Sequence, residues 1–236
     1  MKFSSAQIAS CWEDPAATLQ KIRPMIRDAI GAGATIIAFP EQFATGWDPH
    51  SHHAVEDCSG PIVSALRAYA KEFSITILGS FREEHAPLPF NTSLAIGSDG
   101  EIAARYAKMH PFTYAGEDRH FSAGDGIAVF ETEGLLFGIA ICYDLRFPDL
   151  FRLYAERGAH GVIVPSAWPA SRLNHWELFI RARAAENQMY VIGVNTTGSN
   201  PVDTYAGASM TAGPDGTIIA CAGDGEELLF SDLDAG

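Results

Sequence analysis

Apolar, β-branched runs of strand length alternate along this chain with amphipathic stretches of helical length, and that alternation constrains the fold more than any other feature. KFSSAQIAS reads as a first strand. From Pro15 to Gly31, Ala16, Leu19, Ile22, Ile26 and Ile30 recur at helical spacing. ATIIAFP is a second, buried strand stopped by Pro40, and Pro61 to Phe73 is a second helix with Ile62, Leu66, Tyr69 and Phe73 on one face. SITILGSF is a strand, and NTSLAIGSDGEIAARYAK a hairpin turning at Ser98-Asp99-Gly100. Phe130 to Phe137 is a second hairpin, and GLLFGIAICYD runs on from it as a buried strand. Then come a helix from Phe147 to Gly158, a strand GVIVPSAW ending in Pro165, a long helix from His175 to Met189, and the strand YVIGVNTTG. ASMTAGPDGTIIACAG and ELLFSDLD close the chain as a last pair of strands. Strand–helix–strand units mixed with hairpins predict an α/β protein with mixed sheets covered by helices. No linker, repeat or composition break interrupts residues 1–236, so one domain is expected.

The composition narrows the function classes. With 47% apolar and 19% charged residues, the chain suits a soluble globular protein with a sizeable core. A formal net charge of −13 repels phosphate backbones, so no nucleic-acid partner is expected. No apolar run reaches the roughly 18 residues of a membrane span. The first residues, MKFSSAQIASCWEDP, lack the apolar segment of a signal peptide. The cytoplasm is therefore the expected compartment, and Cys11, Cys58, Cys142 and Cys221 are expected as free thiols. They form no CxxC pair, and HxHH around His50, His52 and His53, near Asp48, Glu56 and Asp57, matches no zinc spacing and reads as a solvated loop. No metal and no cofactor is expected.

Three segments share one context: an apolar strand ends and a reactive side chain follows at once. These are Glu41 in IIAFPEQF, Lys108 in RYAKMHPF and Cys142 in GIAICYDLRFP. Strand ends are where sites are built in open α/β folds. A thiol where a strand gives way to a helix follows the logic of a nucleophile elbow, with helix-start NH groups favouring the thiolate. The three residue types suit amide hydrolysis: Cys142 as nucleophile, Glu41 as proton carrier, Lys108 and the Tyr143 backbone NH as oxyanion partners.

FPEQFATGW, KMHPF and ICYDLRFP, in that order and separation, resemble the three signature segments of the carbon–nitrogen hydrolase (nitrilase) superfamily. The likeness continues through PSAWP and HWELFIRARAAENQMYVIGVN and covers nearly the whole chain. The resemblance implies an α-β-β-α sandwich with two mixed sheets, paired into a homodimer or larger homo-oligomer. It implies a Glu41–Lys108–Cys142 triad and a second active-site glutamate at Glu117. CYDLRFP and HWELFIRARAAENQMYV look most like the omega-amidase-like branch, which deamidates small carboxylate-bearing amides. Members usually run some tens of residues past the last strand, whereas this sequence stops at SDLDAG, which leaves the mode of pairing open.

Other residues keep two readings. Arg146, four residues after Cys142, suits a substrate carboxylate, or braces the turn through Asp144, Asp149 or Glu186. Trp168 walls the pocket or sits in the core. The Tyr143 ring packs, since only its NH is needed. Arg181, Arg183 and Glu186 read as a helix-face ion-pair network. An N-carbamoyl-amino-acid hydrolase or a nitrilase is the nearest alternative function. An amide-forming acyltransferase or a non-catalytic interaction protein is more remote.

Overall fold

A computed structural model describes residues 1–234 of the protein. The chain runs through β1 (Lys2–Gln7), α1 (Pro15–Gly31), β2 (Ile36–Ala38), α2 (Pro61–Phe73), β3 (Thr76–Glu83), β4 (Phe90–Ile96) and β5 (Ile102–Ala107). It continues through β6 (Val129–Thr132), β7 (Leu135–Ile139), α3 (Pro148–Glu156), β8 (Gly161–Ser166), α4 (Leu173–Asn187) and β9 (Tyr190–Asn195). It ends in β10 (Thr197–Ser199), β11 (Thr204–Ala206), β12 (Met210–Ala212), β13 (Ile218–Cys221) and β14 (Glu227–Asp232). One six-stranded sheet has the order β14-β1-β2-β3-β4-β5, the other β13-β12-β9-β8-β7-β6. Both are mixed: β1, β2 and β3 are parallel, as are β7, β8 and β9, with antiparallel strands outside them.

The two-residue period of the strands sorts their side chains into three packed layers. In β2, Ile37 joins Leu19, Ile22, Ile26, Val63 and Leu66 of α1 and α2, while Ile36 and Ala38 face the other way. There they meet Phe137, Ile139 and Ile163 of the second sheet. In β8, Val162 and Val164 pack with Phe151, Trp176 and Ile180 of α3 and α4. The result is the expected α-β-β-α sandwich. The central parallel strands are apolar on both faces because both faces are covered.

Helices α1 and α2 span the residues that the periodicity marks. Helix α4 begins at Leu173 and ends at Asn187, two residues earlier at each end than expected. Pro165 does not end its strand but lies inside β8. The Ile163 carbonyl accepts from Ala140 after β7, and the Ser166 carbonyl accepts from Thr196 after β9, so odd residues face β7. Pairing with β7 covers only Gly161 to Ile163, so the missing Pro165 donor points where no strand needs it. The last strands also split: β12 and β13 extend the second sheet, while β14 crosses over to pair antiparallel with β1.

His50, His52 and His53 are exposed on a loop, as expected, and only Glu56 of that segment departs from the solvated reading. Helix α2 starts at Gly60, which has no side chain to cap it. The buried Glu56 carboxylate takes that role, accepting from Ile62 N at 3.1 Å and Val63 N at 2.9 Å. Among the described residues, no group of three or more His, Cys, Asp or Glu is arranged to hold a metal ion. Among the described residues, no helix is long and apolar enough to cross a membrane. Glu56→Ala is expected to lower stability by about 1–2 kcal/mol. The check is urea unfolding, with the midpoint falling and the slope unchanged; an unmoved midpoint would mean that α2 does without this cap.

Candidate active site

Glu41, Lys108, Glu117 and Cys142, which lie far apart in sequence, meet at the strand ends between the two sheets. Glu41 follows β2 in a turn whose next residue, Gln42, has φ +47°. The buried Arg82 of β3 holds this turn, donating to Gln42 Oε1 (2.9 Å), the Gly46 carbonyl (3.0 Å), the His53 carbonyl (2.8 Å) and both oxygens of Glu13 (3.0 Å each). Lys108 follows β5, and Glu117 opens a short 3-10 turn just beyond it.

The Lys108 ammonium is buried and sits between the two carboxylates, 2.8 Å from Glu41 Oε1 and 2.8 Å from Glu117 Oε2. Asn91 of β4 donates to both, at 2.8 Å to Glu41 Oε1 and 3.1 Å to Glu117 Oε1. Glu41 Oε2 accepts from the Ala167 amide at 3.1 Å, just past β8. Nearly every lone pair around the ammonium is thus used, as a charge removed from water requires.

Cys142 opens a 3-10 helix (Cys142–Arg146) with φ +47°. That conformation is strained for a non-glycine residue and marks an elbow held by its surroundings. The holder is Asp144, fully buried. It accepts from Ile141 N (2.9 Å), Tyr106 Oη (2.7 Å) and His110 N (2.9 Å), so it ties the elbow to β5 and to the segment after Lys108. Asn195 does the same for the turn after β8, accepting from Trp168 N at 2.7 Å and donating to the Trp168 carbonyl at 3.1 Å.

Burial pushes the Glu41 carboxyl up, and the Glu117 charge adds to this against the pull of Lys108. Burial also acts on Glu117, but Lys108 and the Phe112 and Asn91 donors outweigh it and hold that carboxyl below the usual range. Lys108 stays protonated: burial opposes its charge, and the two glutamates more than offset it. The Cys142 thiol is raised well above its ordinary value by burial and then by the Glu41 charge. This reverses the expectation of a favoured thiolate. A five-residue 3-10 turn supplies little dipole, while a carboxylate faces the sulfur directly.

A cleft of about 240 Å³ opens from Cys142 and Lys108 toward solvent, lined also by Tyr143, Arg146, Trp168 and Arg172. Trp168 does both things foreseen for it, walling the cleft and packing on Trp176. The Tyr143 ring also lines the cleft. The Arg146 guanidinium lies 5.0 Å over Trp168 and 5.1 Å over Phe179, with one nitrogen 3.3 Å from His175 Nδ1. The carboxylates offered as its braces are engaged elsewhere. Asp144 holds the elbow, Asp149 faces Arg152, and Glu186 pairs with Arg183. Arg181 pairs with Glu177, so the helix-face network is two separate pairs.

The comparisons with known proteins agree with this geometry. A sequence model of the carbon–nitrogen hydrolase family matches residues 2–236. The chain is a carbon–nitrogen hydrolase. It is similar to a 2-oxoglutaramate amidase of Bacillus subtilis, 33% identical over 85% of this chain and 78% of that protein. It is 35% identical to the human omega-amidase NIT2, over 89% of this chain and 80% of the relative. Among solved structures, an amidase from Nesterenkonia sp. AN1 carrying acrylamide added at its active-site cysteine superposes with a TM-score of 0.90 and 27% identity, covering 100% of this chain and 94% of that one. This hydrolase therefore acts on carbon–nitrogen bonds other than peptide bonds.

Sequence reasoning missed Arg82, Asn91, Asp144, Arg172 and Asn195. Asn91 and Arg82 left one signal, a polar residue inside an otherwise buried strand. Arg172 lies in an irregular segment and left none. Lys108→Met is expected to cost about 3–5 kcal/mol at pH 7, because two buried carboxylates lose their shared cation. In the variant those carboxyls titrate above the unfolded value of about 4.3, so the deficit is full at neutral pH and shrinks as pH falls toward 4. Urea unfolding of parent and variant at pH 7 and pH 4.5 checks the magnitude and the sign.

Proposed function

We propose that this cysteine-dependent amidohydrolase releases ammonia from a small aliphatic amide that carries a carboxylate, through a thioester on Cys142. One observation carries the reading. The Glu41 carboxylate accepts from the Lys108 ammonium and faces the Cys142 thiol, which opens into a cleft whose wall holds Arg146 with no paired carboxylate among the described residues. The names of the relatives, 2-oxoglutaramate amidase and omega-amidase, support an amide of this class.

Glu41 takes the thiol proton as sulfur attacks the amide carbon, which avoids a standing thiolate beside a carboxylate. The new oxyanion faces the Lys108 ammonium and the Tyr143 backbone NH. Glu41 returns the proton to the departing nitrogen, the C–N bond breaks and ammonia leaves. Water then attacks the thioester as Glu41 takes one of its protons. The C–S bond breaks, the acid is released and the proton returns to sulfur. Glu117 keeps Lys108 aimed and charged throughout. Arg146 meets the substrate carboxylate, with Trp168 and Tyr143 as apolar walls. The same reading includes one domain and a homodimer in the cytoplasm. Leu153 and Leu178, exposed on α3 and α4, supply apolar surface for the pairing, and sedimentation tests it.

Ammonia release from succinamate, glutaramate, 2-oxoglutaramate, an N-carbamoyl amino acid, a simple amide and a nitrile tests the class. Cys142→Ala should lose about 10⁴-fold or more on every substrate that the parent turns over. Arg146→Met should raise KM about 10- to 100-fold for the carboxylate-bearing amides and leave the simple amide unchanged. Equal effects on both would remove the carboxylate role.

The pH profile follows from Glu41, which must start deprotonated. Burial raises its pKa, so kcat/KM should fall on the acid side with a midpoint above the ordinary glutamate value of about 4.3. A midpoint at or below that value would contradict Glu41 as the base.

A further inference from the structure

Beside Glu41 lies a second, much smaller passage. Its volume is about 20 Å³, and its lining includes Ser10, Glu41, Thr196, Asn200 and Tyr205. About 10–15 Å³ is enough for one water, so the passage admits water and excludes an organic acyl group. Cys142 and Lys108 line only the larger cleft, Glu41 lines only this passage, and Trp47 borders both. Glu41 and Trp47 thus lie where the two spaces adjoin.

Tyr205, on β11, is 4% exposed and packs on Trp47 and Ala167. Its hydroxyl is buried, and among the described residues only the Asn200 side chain comes within reach of it, which leaves its own proton without an acceptor, a costly state unless a small polar molecule meets it. Asn200 is a polar neighbour, but its side-chain oxygen already accepts from Val202 N at 2.8 Å and Asp203 N at 3.0 Å. Burial, helped by the charges of Asp203 and Glu41, outweighs the Asn200 contact and keeps the hydroxyl protonated and able to donate.

The two-step reaction makes such a passage useful. Once the thioester forms, the acyl chain runs from Cys142 out along the main cleft and blocks solvent there. An acylated Cys142 no longer donates to Glu41, which leaves the Glu41 oxygen that accepts from Ala167 with that amide alone among the hydrogen bonds of the described residues. We propose that the narrow passage delivers and holds the hydrolytic water, with Tyr205 as the residue that positions it against Glu41. In deacylation the water gives one proton to Glu41, its oxygen bonds to the acyl carbon, and the C–S bond breaks. This rests on the acyl-enzyme reading above and extends it from the thiol to the water.

The test uses mono-4-nitrophenyl succinate, an activated ester that makes deacylation limiting. The parent should give a burst of one nitrophenolate per site, then a slower steady phase. Tyr205→Phe should keep the burst while its steady phase slows about tenfold, the loss of one water hydrogen bond. Succinylated Cys142 should accumulate by intact mass, and kcat and KM should fall together with kcat/KM unchanged. Ser10→Leu, which narrows the passage without touching Tyr205, should give the same split and serves if Tyr205→Phe fails to fold. An unchanged steady phase in a folded variant overturns the water route. Burst and steady phase slowed together also overturn it, since that marks Tyr205 as structural. A parent with neither burst nor adduct on Cys142 would instead defeat the acyl-enzyme reading itself.

Discussion

The arrangement depends on one buried ammonium. Lys108 sits between Glu41 and Glu117 with almost no solvent contact, so neither its charge nor theirs is tolerable alone. Because the three groups come from the ends of β2 and β5 and the segment beyond β5, closing the charge also closes the first sheet's end of the site. The unequal response of the two carboxyls follows from their remaining partners. Glu117 has the Phe112 amide, Asn91 and Lys108, and it stays anionic as a fixed counter-ion. Glu41 shares Lys108 and Asn91, but burial and the Glu117 charge outweigh them, so it keeps the capacity to carry a proton.

The second sheet supplies the sulfur, and a few buried polar residues set its position relative to the first. Asp144 is central, because one carboxylate joins the elbow after β7 to Tyr106 of β5 and to the backbone after Lys108. Asn195 fixes the turn after β8, from which the Ala167 amide reaches Glu41. These links cross an otherwise apolar interface of Phe3, Ile36, Leu78, Ile139 and Ile163. Apolar packing brings two sheets together without choosing the distance between two side chains. Directional hydrogen bonds make that choice.

This division explains what was legible in the sequence. Ile36, Ala38, Val162 and Val164 announce covered strands by composition, and helices α1 and α2 by spacing, because such patterns are local. Glu41, Lys108 and Cys142 were legible because each follows a strand that the pattern ends. Asp144, Asn91 and Arg82 act through partners as far as 38, 50 and 69 positions away, so their spacing is silent. The crossover of β14 to the first sheet is equally silent, since ELLF suits either edge. The thiol's protonation was misread for the same reason: the helix start is local, and the opposing carboxylate comes from another sheet.

Charge acts differently at the scale of the chain and at the scale of the cleft. The protein carries a net charge of −13, which would repel an anionic substrate at long range. At physiological salt such repulsion fades within about 8 Å, so most of that charge is hidden from a molecule at the cleft mouth. What it meets there are Arg146 and Arg172, held over aromatic rings, against the single carboxylate of Asp203 among the described lining residues. Deeper in, Lys108 is already matched by two carboxylates and offers no net positive charge. On the proposed reading, a carboxylate is drawn to this wall and a neutral amide is left to meet the thiol, so that the depth of the cleft sets how many carbons separate the two ends of the substrate.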